Sequence, residues 1–253
     1  MKLVRFAHQD TIRHGMVEDD TIIAISGGFF GPMQSMEETF AIEDVRLMSP
    51  TTPSKVVAVG LNYRDHAEEL GMPLPSEPIL FLKPPTSVVG HDYKITYPPE
   101  SQQVDYEAEL VVVMRERCHR VQAADVADYV LGYTCGNDVT ARDLQKKDGQ
   151  WTRAKSFDSF APLGPYVETE ADPRNLWVEC FVNGEMKQSS STMNMIFDVY
   201  ELVSFVSHVM TLLPGDVIMT GTPPGVGRLQ PRDLVEVRIE GVGSLTNQVV
   251  ALH

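Results

Sequence analysis

Three carboxylates in one short segment are the first residues whose spacing could support chemistry. Asp105, Glu107 and Glu109 occupy positions i, i+2 and i+4, directly before the apolar residues 110–113. On a β-strand this spacing places the three side chains on one face, where like charges repel each other. A divalent cation would remove the repulsion, and oxygen ligands without cysteine or histidine favour Mg²⁺, Mn²⁺ or Ca²⁺ over Zn²⁺. The alternative interpretation is a solvated strand edge whose acidic residues serve solubility.

Two later segments could contribute to the same chemistry. Asp138 is expected at the end of a strand, just before a helix, where it could supply a third oxygen ligand or act as a simple helix N-cap. Residues 221–227 are rich in glycine and proline but lack the Gly-Lys-Ser/Thr ending of a phosphate-binding loop. We therefore expect either a rigid turn that lines a pocket or an ordinary turn.

The charge balance limits the classes of partner. The chain has 253 residues and a formal net charge of −14, so it would bind nucleic-acid phosphates and anionic membrane surfaces poorly. We expect neither nucleic acid nor a membrane as a partner. If the substrate is itself an anion, a bound metal cation is the simplest way to reverse the local charge.

The sequence also indicates a cellular context. The N-terminal residues contain no apolar signal-peptide core, and no run of about 18 apolar residues predicts a membrane span. The cysteines, Cys118, Cys135 and Cys180, are odd in number and widely spaced, and they form no CxxC pair. These features favour a cytoplasmic protein whose cysteines are small buried apolar residues.

Short strands dominate the elements that must position these residues. The turn-rich residues 49–54 separate a small β-rich N-terminal part, residues 1–54, from residues 55–253. We expect the smaller part to be an appendage that leans on the larger one, since it is marginal as an independent domain. The larger part is expected to be a β-rich α+β domain, with few helices. Its expected strands are at 55–60, 79–82, 104–114, 132–139, 216–221, 234–239 and 245–252, its helices at 122–131, 140–147 and 198–212, and its Asn-Gly hairpin at 178–187.

Residues 62–78, which we call the flap, form a distinct polar segment. Residues 62–71 predict a short helix with Asn62 as its N-cap and Gly71 after its last turn, and a proline-rich return follows. A helix of about two turns is marginal in water by itself. We therefore expect the flap to lie at the surface and to become ordered when a ligand binds.

From about residue 55 to the C-terminus, the chain resembles the fumarylacetoacetate hydrolase family. Its length and its flap are similar to those of the small bacterial members, which include acylpyruvases, oxaloacetate decarboxylases and hydroxyheptadienedioate isomerases. The resemblance rests on ordered blocks: Gly60-Leu61-Asn62-Tyr63 with Asp65-His66, Phe81-Leu82-Lys83-Pro84, Asp105-Tyr106-Glu107-Ala108-Glu109-Leu110, Asn137-Asp138-Val139-Thr140-Ala141-Arg142-Asp143, Ala154-Lys155-Ser156-Phe157-Asp158, Pro214-Gly215-Asp216-Val217-Ile218 and Gly221-Thr222-Pro223.

The resemblance implies an architecture and a metal site. It implies a mixed β-roll catalytic domain over residues 55–253, a small N-terminal domain over residues 1–54, and a homodimer. It also implies that Glu107, Glu109 and Asp138 hold Mg²⁺ or Mn²⁺, while Asp105 stays outside the ligand set.

The resemblance implies roles for further residues. His66 and Glu69 match a dyad that activates water, and their i, i+3 spacing on one helix face lets the glutamate orient the imidazole. Glu68 would replace Glu69 if the register shifted by one residue. Lys155 matches a lysine that stabilises a developing oxyanion. Positions at the substrate end are matched by Arg142, Gln145 and Thr222, and Lys83 is either a pocket residue or a surface charge.

The implied function is divalent-metal-dependent C–C bond cleavage of small 2-oxo or 2,4-dioxo acids through a metal-bound pyruvate enolate. Acylpyruvate hydrolysis, oxaloacetate decarboxylation or both would proceed in this way. One alternative is a 2-hydroxyhepta-2,4-diene-1,7-dioate isomerase or 5-oxopent-3-ene-1,2,5-tricarboxylate decarboxylase of aromatic catabolism. An alternative of another class is a metal-stabilised binding protein without catalysis. An acidic β-rich protein with a solvated carboxylate face would show no stabilisation by metal.

Overall fold

A computed structural model describes residues 1–252, and in this part of the chain short strands outnumber helices. The α-helices are α1 (Arg64–Leu70), α2 (Arg142–Asp148), α3 (Thr152–Lys155) and α4 (Val199–Val209), and 3₁₀ turns lie at Ile42–Asp44, Pro85–Ser87, Ala123–Tyr129 and Thr192–Asn194. The strands are β1 (Lys2–His8), β2 (Thr11–Glu18), β3 (Thr21–Ser26), β4 (Gln34–Ala41), β5 (Arg46–Leu47), β6 (Val56–Gly60), β7 (Ile79–Lys83), β8 (Val88–Val89), β9 (Lys94–Tyr97), β10 (Val104–Tyr106), β11 (Ala108–Met114), β12 (Val130–Asn137), β13 (Thr140–Ala141), β14 (Ala161–Glu168), β15 (Trp177–Val182), β16 (Glu185–Ser191), β17 (Val217–Met219), β18 (Gly227–Arg228), β19 (Leu234–Ile239) and β20 (Gly243–Ala251).

The strands form one long mixed sheet and two smaller sheets. The long sheet has the order β4-β3-β2-β1-β14-β12-β11-β17-β6-β7, with β5 and β8 paired beside β1 and β14. The smaller sheets have the orders β13-β10-β18 and β16-β15-β19-β20-β9. Pairing is mostly antiparallel, but three pairs are parallel: β6 with β17, β8 with β14, and β9 with β20. This mixed, strand-rich architecture confirms the predicted fold class.

The centre of the long sheet is covered on both faces. Along β11, Leu110 and Val112 belong to one apolar core, whereas Val111 and Val113 belong to a second core on the other face. Strand β6 alternates between the same two cores. Burial on both faces explains why these strands are continuous apolar runs rather than alternating polar and apolar residues.

One edge of this sheet collects several strand ends. Strand β11 begins at Ala108 opposite Asn137, the last residue of β12. Strands β17 and β6 end beside each other at this edge, and the last residue of β6, Gly60, pairs with the first residue of β7, Ile79. The residues that follow or precede these ends therefore converge on one location, although they are far apart in sequence.

The N-terminal strands continue the long sheet. Residues Lys2 and Leu3 of β1 pair with Glu168 and Val167 of β14. Strands β2, β3 and β4 extend the sheet outward from β1 by successive antiparallel pairing. The predicted appendage is thus joined to the larger part by backbone hydrogen bonds, and its boundary near residue 54 stays a prediction.

Most predicted elements of the larger part are present, with one clear exception. Helix α4 has the capping box formed by Asp198 and Glu201, and the Asn183-Gly184 turn has positive φ at both residues, as a type I′ turn requires. The helix expected at 122–131 is wrong: the segment is the 3₁₀ turn Ala123–Tyr129. Val126 is its one buried residue, so it lacks the apolar stripe that stabilises an α-helix by packing.

Cys118, Cys135 and Cys180 are buried and unpaired, as predicted. Among residues 1–252, no helix combines the length and the apolar character needed to cross a membrane.

Candidate active site: a buried carboxylate cluster beneath the flap

Glu107, Glu109 and Asp138 come together at the edge of the long sheet where the strand ends converge. The two glutamates are two positions apart and share a face, while Asp138 follows the end of β12 and its N–H donates to the backbone carbonyl of Glu107 at 2.8 Å. One carboxylate oxygen from each of the three residues lies within 4.8 Å of the others. The side chains are almost fully buried, which excludes the interpretation of a solvated acidic edge.

The two glutamates differ in their electrostatic surroundings. Burial raises the pKa of Glu109 well above its usual value, and the neighbouring carboxylates of Asp138 and Glu107 raise it further. Burial would also raise the pKa of Glu107, but the positive charges of Lys155 and Arg142 lower it to about 2. The cluster therefore contains one carboxylate, Glu107, whose ionised form is favoured by basic partners, and one, Glu109, whose neutral form is favoured by burial and acidic neighbours.

Two lysines are buried against the cluster. Nζ of Lys155 donates to Oε2 of Glu107 at 2.8 Å and to Oδ2 of Asp138 at 2.6 Å. Nζ of Lys83 donates to Oδ1 of Asp138 and to the carbonyl oxygen of Val139, so Lys83 is not a surface charge. Burial would lower the pKa of Lys155, but Asp138 and Glu107 raise it; burial lowers the pKa of Lys83 despite the attraction of Asp138.

Arg142 connects the cluster to Asp105. Its guanidinium donates from Nε to Asp105 at 2.9 Å, from Nη2 to Glu107, and from Nη1 to the side-chain oxygen of Gln145 at 2.7 Å. Burial would lower the pKa of Arg142, but Glu107 and Asp105 raise it. This network fixes the guanidinium plane at the first turn of α2.

The expectation that Asp105 shares one strand face with the two glutamates is wrong. The chain changes sheets at Glu107, because β10 pairs with β13 and β18, whereas β11 pairs with β12 and β17. Asp105 is outside the cluster of possible ligands and faces Arg142 instead. The helix N-cap alternative for Asp138 is also wrong, since the residue before α2 is Ala141.

The flap places a histidine and a glutamate beside the cluster. On α1, Nδ1 of His66 lies 2.8 Å from Oε2 of Glu69. The carboxylate of Glu69 also accepts a hydrogen bond from the backbone N–H of Gly225 at 3.1 Å, within the glycine-rich turn. The partner of His66 is thus Glu69, and the turn at 221–227 holds that partner in place.

Asn62 is not the N-cap of α1, contrary to the prediction. The helix begins after Tyr63, and the buried Asn62 side chain donates to the carbonyl oxygens of Phe197 and Thr220 and accepts from the N–H of Phe197. These backbone groups would be unpaired inside the protein without the amide, and leaving them unpaired would cost more than a helix cap contributes. Gly71 ends the helix in the left-handed conformation, as predicted.

A cavity of about 370 Å³ lies between the flap and the carboxylate cluster. Its polar lining includes every predicted site residue except Lys83 and Glu69. The predicted residues that line the cavity are His66, Glu107, Glu109, Asp138, Arg142, Gln145, Lys155 and Thr222. The hydroxyl of Thr222 donates to the carbonyl oxygen of Ala108 at 2.8 Å, which ties the glycine-rich turn to the start of β11. The sequence thus named most of the polar lining.

Several residues at the site were not found by sequence reasoning. The apolar part of the cavity is lined by Phe81 and Trp151 and, from the flap, by Leu70 and Met72. The buried Gln188 accepts from the N–H of Ala108 and donates to Thr222 and Pro223, so it holds the entrance of β11 against the turn. The alternation of buried and exposed side chains along the hairpin could have indicated that Gln188 points inward. No local sequence pattern indicates which apolar residues line the cavity.

The donor chemistry of the cluster fits a hard divalent cation. Three buried carboxylates within 4.8 Å supply oxygen ligands, which suit Mg²⁺ or Mn²⁺, and the cluster contains no sulfur or imidazole ligand. Glu109 is the ligand whose ionisation a bound cation would favour most, since burial and the neighbouring carboxylates raise its pKa. The cluster can therefore hold a metal ion.

Comparison with known proteins places this site in a family. The family model described as fumarylacetoacetate (FAA) hydrolase C-terminal matches residues 55–250, and a second model, Rv2993c-like N-terminal, matches residues 1–50. The chain belongs to the fumarylacetoacetate hydrolase family. The resemblance inferred from the sequence blocks is thereby confirmed.

Two relatives, one archaeal and one mitochondrial, are similar to most of this chain. An uncharacterized protein of Archaeoglobus fulgidus is 55% identical over 250 residues, which cover 99% of this chain and 96% of that protein. The mitochondrial oxaloacetate tautomerase Fahd2a of Rattus norvegicus is 45% identical over 218 residues, which cover 81% of this chain and 70% of that protein.

Solved structures of the family superpose along the whole chain. The 5-carboxymethyl-2-hydroxymuconate delta-isomerase from Mycobacterium smegmatis has a TM-score of 0.94 at 43% identity, with 100% of both chains covered. The maleylpyruvate hydrolase from Sphingobium sp. SYK-6, in complex with manganese(II) and pyruvate, has a TM-score of 0.85 at 28% identity, also over 100% of both chains. A tautomerase, an isomerase and a hydrolase are thus among the similar proteins, and the chain is an enzyme of the fumarylacetoacetate hydrolase family.

Proposed function

We propose that the protein hydrolyses a C–C bond in acylpyruvates, with a divalent cation held by Glu107, Glu109 and Asp138. The observation that carries this proposal is the His66–Glu69 pair, whose imidazole lines the same cavity as the three carboxylates. Hydrolysis requires a base for water, and a histidine held by a carboxylate beside the substrate cavity supplies one. The manganese and pyruvate in the similar maleylpyruvate hydrolase support both the metal and a pyruvate product.

The hydrogen bond between the dyad residues assigns the proton positions. If Nδ1–H of His66 donates to Glu69, the free lone pair lies on Nε2, and Nε2 accepts the proton of water. The resulting hydroxide attacks the distal carbonyl carbon of the acylpyruvate. The C–C bond then breaks, its electron pair moves to the pyruvate fragment, and protonation of that fragment gives pyruvate and a carboxylic acid.

Lys155 and Arg142 are placed to bind the oxygens of the substrate. Two of the three ammonium protons of Lys155 are used by Glu107 and Asp138, which leaves one donor for an oxygen in the cavity. Arg142 has N–H donors beyond those used by Asp105, Glu107 and Gln145. A cation bound at the cluster would act as a Lewis acid on the carbonyl oxygen of the 2-oxo acid.

The first experiment measures pyruvate release from acetylpyruvate and from oxaloacetate, with and without Mg²⁺ or Mn²⁺. Free metal alone decarboxylates oxaloacetate, so each reaction needs a control without protein. Metal-dependent release from acetylpyruvate above this control supports the hydrolase. If oxaloacetate alone is converted, the function is decarboxylation and the dyad is not used for water activation. No release from either substrate would contradict the proposal.

A second candidate is tautomerisation or isomerisation of a 2-oxo acid. It is favoured by the 45% identity to the oxaloacetate tautomerase and by the fold and identity shared with the muconate isomerase. These reactions need a proton relay at carbon but no water as nucleophile. Disappearance of enol-oxaloacetate, followed by ultraviolet absorbance without pyruvate release, would identify this activity. Because these reactions have no water-dependent step, His66→Ala should then lower the rate of tautomerisation without abolishing it.

A further inference from the structure

One side of the cavity is a continuous apolar wall that begins directly beside Lys155. Nζ of this lysine lies 5.0 Å from the centre of the Phe81 ring, within the range of a cation–π contact. The ring of Trp151 meets Phe81 edge to face, with their centres 5.2 Å apart at an interplanar angle of 74°. The wall therefore leads outward from the group that faces the polar end of the substrate.

Gly60 fixes the position of the indole in this wall. A Cβ atom at residue 60 would lie 2.7 Å from the ring of Trp151, a distance that would force the indole to move. Gly60 also pairs with Ile79 across β6 and β7, so the wall continues from Trp151 to the side chain of Ile79. The absence of a side chain at residue 60 thus leaves room for the indole of Trp151 against the backbone of β6.

The flap supplies further apolar residues to the lining of the same space. Leu70 and Met72 line the cavity and are 52% and 51% exposed, and Ile79 is 44% exposed. Apolar surface of this extent gains free energy when a ligand covers it. A cavity of about 370 Å³ also has the size of sites that bind ligands larger than pyruvate.

Charged groups at the cavity do not favour a second carboxylate on the ligand. In the proposed function the remaining donors of Lys155 and Arg142 bind the 2-oxo acid end, and their other donors are paired with buried carboxylates, so neither group is left for a second carboxylate. Lys146 also lines the cavity, but it lies at the exposed end of α2. A distal carboxylate placed against Phe81 and Trp151 would lose hydration without a buried partner, which is costly.

We propose that the distal substituent of the substrate is an apolar acyl or aryl group that packs between this wall and the flap. This inference rests on the proposed hydrolysis of acylpyruvates and specifies the substrate class. The 2-oxo acid end lies at the carboxylate cluster and Arg142, and the carbon chain beyond the scissile bond lies along Phe81, Trp151 and Ile79. Burial of each further methylene on this surface should raise kcat/KM roughly fourfold until the wall is covered.

The test compares acylpyruvates that differ in their distal group alone. Acetylpyruvate, hexanoylpyruvate and benzoylpyruvate are compared with an acylpyruvate of the hexanoyl length that ends in a carboxylate. We expect kcat/KM for hexanoylpyruvate to exceed that for acetylpyruvate by at least about tenfold, and the diacid to lose most of this gain. Equal values across the series, or a preference for the diacid that Lys146→Gln removes, would overturn the inference. Absence of pyruvate release from every compound would instead overturn the proposed function.

Variants of the wall test the same inference from the side of the protein. Trp151→Ala and Ile79→Ala should each lower the ratio of hexanoylpyruvate to acetylpyruvate kcat/KM several-fold, and Gly60→Ala should lower it by displacing the indole. Leu74→Ala is the matched control, since Leu74 is a flap residue that is 50% exposed and lies outside the cavity lining. An unchanged ratio in Trp151→Ala and Ile79→Ala would contradict the proposed wall.

A binding measurement makes this test independent of turnover. The compound 2-oxooctanoate has the 2-oxo acid end and an apolar chain but no second carbonyl group to be cleaved. Calorimetry in the presence of Mg²⁺ should show at least about tenfold tighter binding of 2-oxooctanoate than of pyruvate, and this difference should shrink in Ile79→Ala. Equal affinities in the wild-type protein would overturn the inference even if acetylpyruvate is hydrolysed.

Discussion

Lys83 donates a hydrogen bond to Asp138 inside the protein, where neither side chain reaches solvent. The sequence left Lys83 as either a pocket residue or a surface charge, and it is absent from the lining of the cavity. Its ammonium group instead neutralises Asp138, a possible metal ligand, from a position outside the cavity lining. A buried charge that loses its partner is strongly destabilising, so the pair has consequences for both stability and metal binding.

Lys83→Met should destabilise the protein in chelator by up to about 3–5 kcal/mol, because Asp138 loses one of its two buried lysine partners and keeps only Lys155. A cation bound at the cluster would neutralise the same carboxylate, so the loss should be smaller in excess Mn²⁺. Thermal unfolding of both proteins in chelator and in Mn²⁺ measures the difference. The exposed Lys147→Met is the control and should change stability by less than about 0.5 kcal/mol in either condition. An equal loss with and without Mn²⁺ would show that Lys83 acts on the fold alone.

Glu109→Gln should abolish most of the affinity for divalent cations. The substitution keeps the size of the side chain and its acceptor for the N–H of Gly221 but removes the charge. The loss in calorimetric affinity for Mn²⁺ should exceed the roughly 10–100-fold that removal of an outer partner costs. Asp105→Asn is the matched control, since Asp105 is also buried but lies outside the cluster. Unchanged affinity in Glu109→Gln would exclude this residue as a ligand.

The carboxylate cluster was predictable in part from local rules, since alternation along a strand placed Glu107 and Glu109 on one face. The full set with Asp138 came from the family resemblance, because local patterns left Asp138 as either a ligand or a helix N-cap. The sheet change at Glu107 was not predictable in this way. It depends on which strands pair with β10 and β11, and those partners are distant in sequence.

Residues that depend on non-local packing were misread or missed. A lysine is usually expected at the surface. Lys83 is buried because it pairs with Asp138, which is 55 positions away in the sequence. The sequence predicts Asn62 as a helix cap, but its side chain forms hydrogen bonds with backbone groups of Phe197 and Thr220. Such assignments require the tertiary structure because the partner groups carry no signal near the residue itself.

His66→Ala should lower acylpyruvate hydrolysis by about 10²–10⁴-fold, because a general base contributes a factor of this size. Glu69→Gln should lower it less, since the imidazole remains but its orientation is weakened. Steady-state kinetics with acetylpyruvate and calorimetry with Mn²⁺ should show loss of turnover with metal affinity retained. Glu68→Gln is the control, because the carboxylate that bonds His66 is that of Glu69. Hydrolysis that persists in His66→Ala would remove the dyad from the mechanism.

Asp216 provides a pH-dependent contribution to stability at the start of β17. Its buried carboxylate accepts from Lys55, from the N–H and hydroxyl of Ser54, and from the N–H of Leu213. Burial would raise the pKa of Asp216, but these hydrogen bonds lower it below the ordinary value of 3.8. A carboxyl group with a lower pKa in the folded state stabilises the fold above its unfolded pKa, and this contribution disappears as the pH falls through the folded pKa.

Asp216→Asn should therefore lower the free energy of unfolding by about 1.5–3 kcal/mol at neutral pH, the range for hydrogen bonds to a charged group. The gap between wild type and variant should narrow once the pH falls below about 4, because the carboxyl group of Asp216 becomes protonated first in the unfolded chain and, at lower pH, in the folded protein. Urea unfolding at a series of pH values measures this gap. Asp44→Asn, at an exposed aspartate, should show no comparable loss at neutral pH. A gap that stays constant or widens on acidification would show that ionisation of Asp216 does not stabilise this strand.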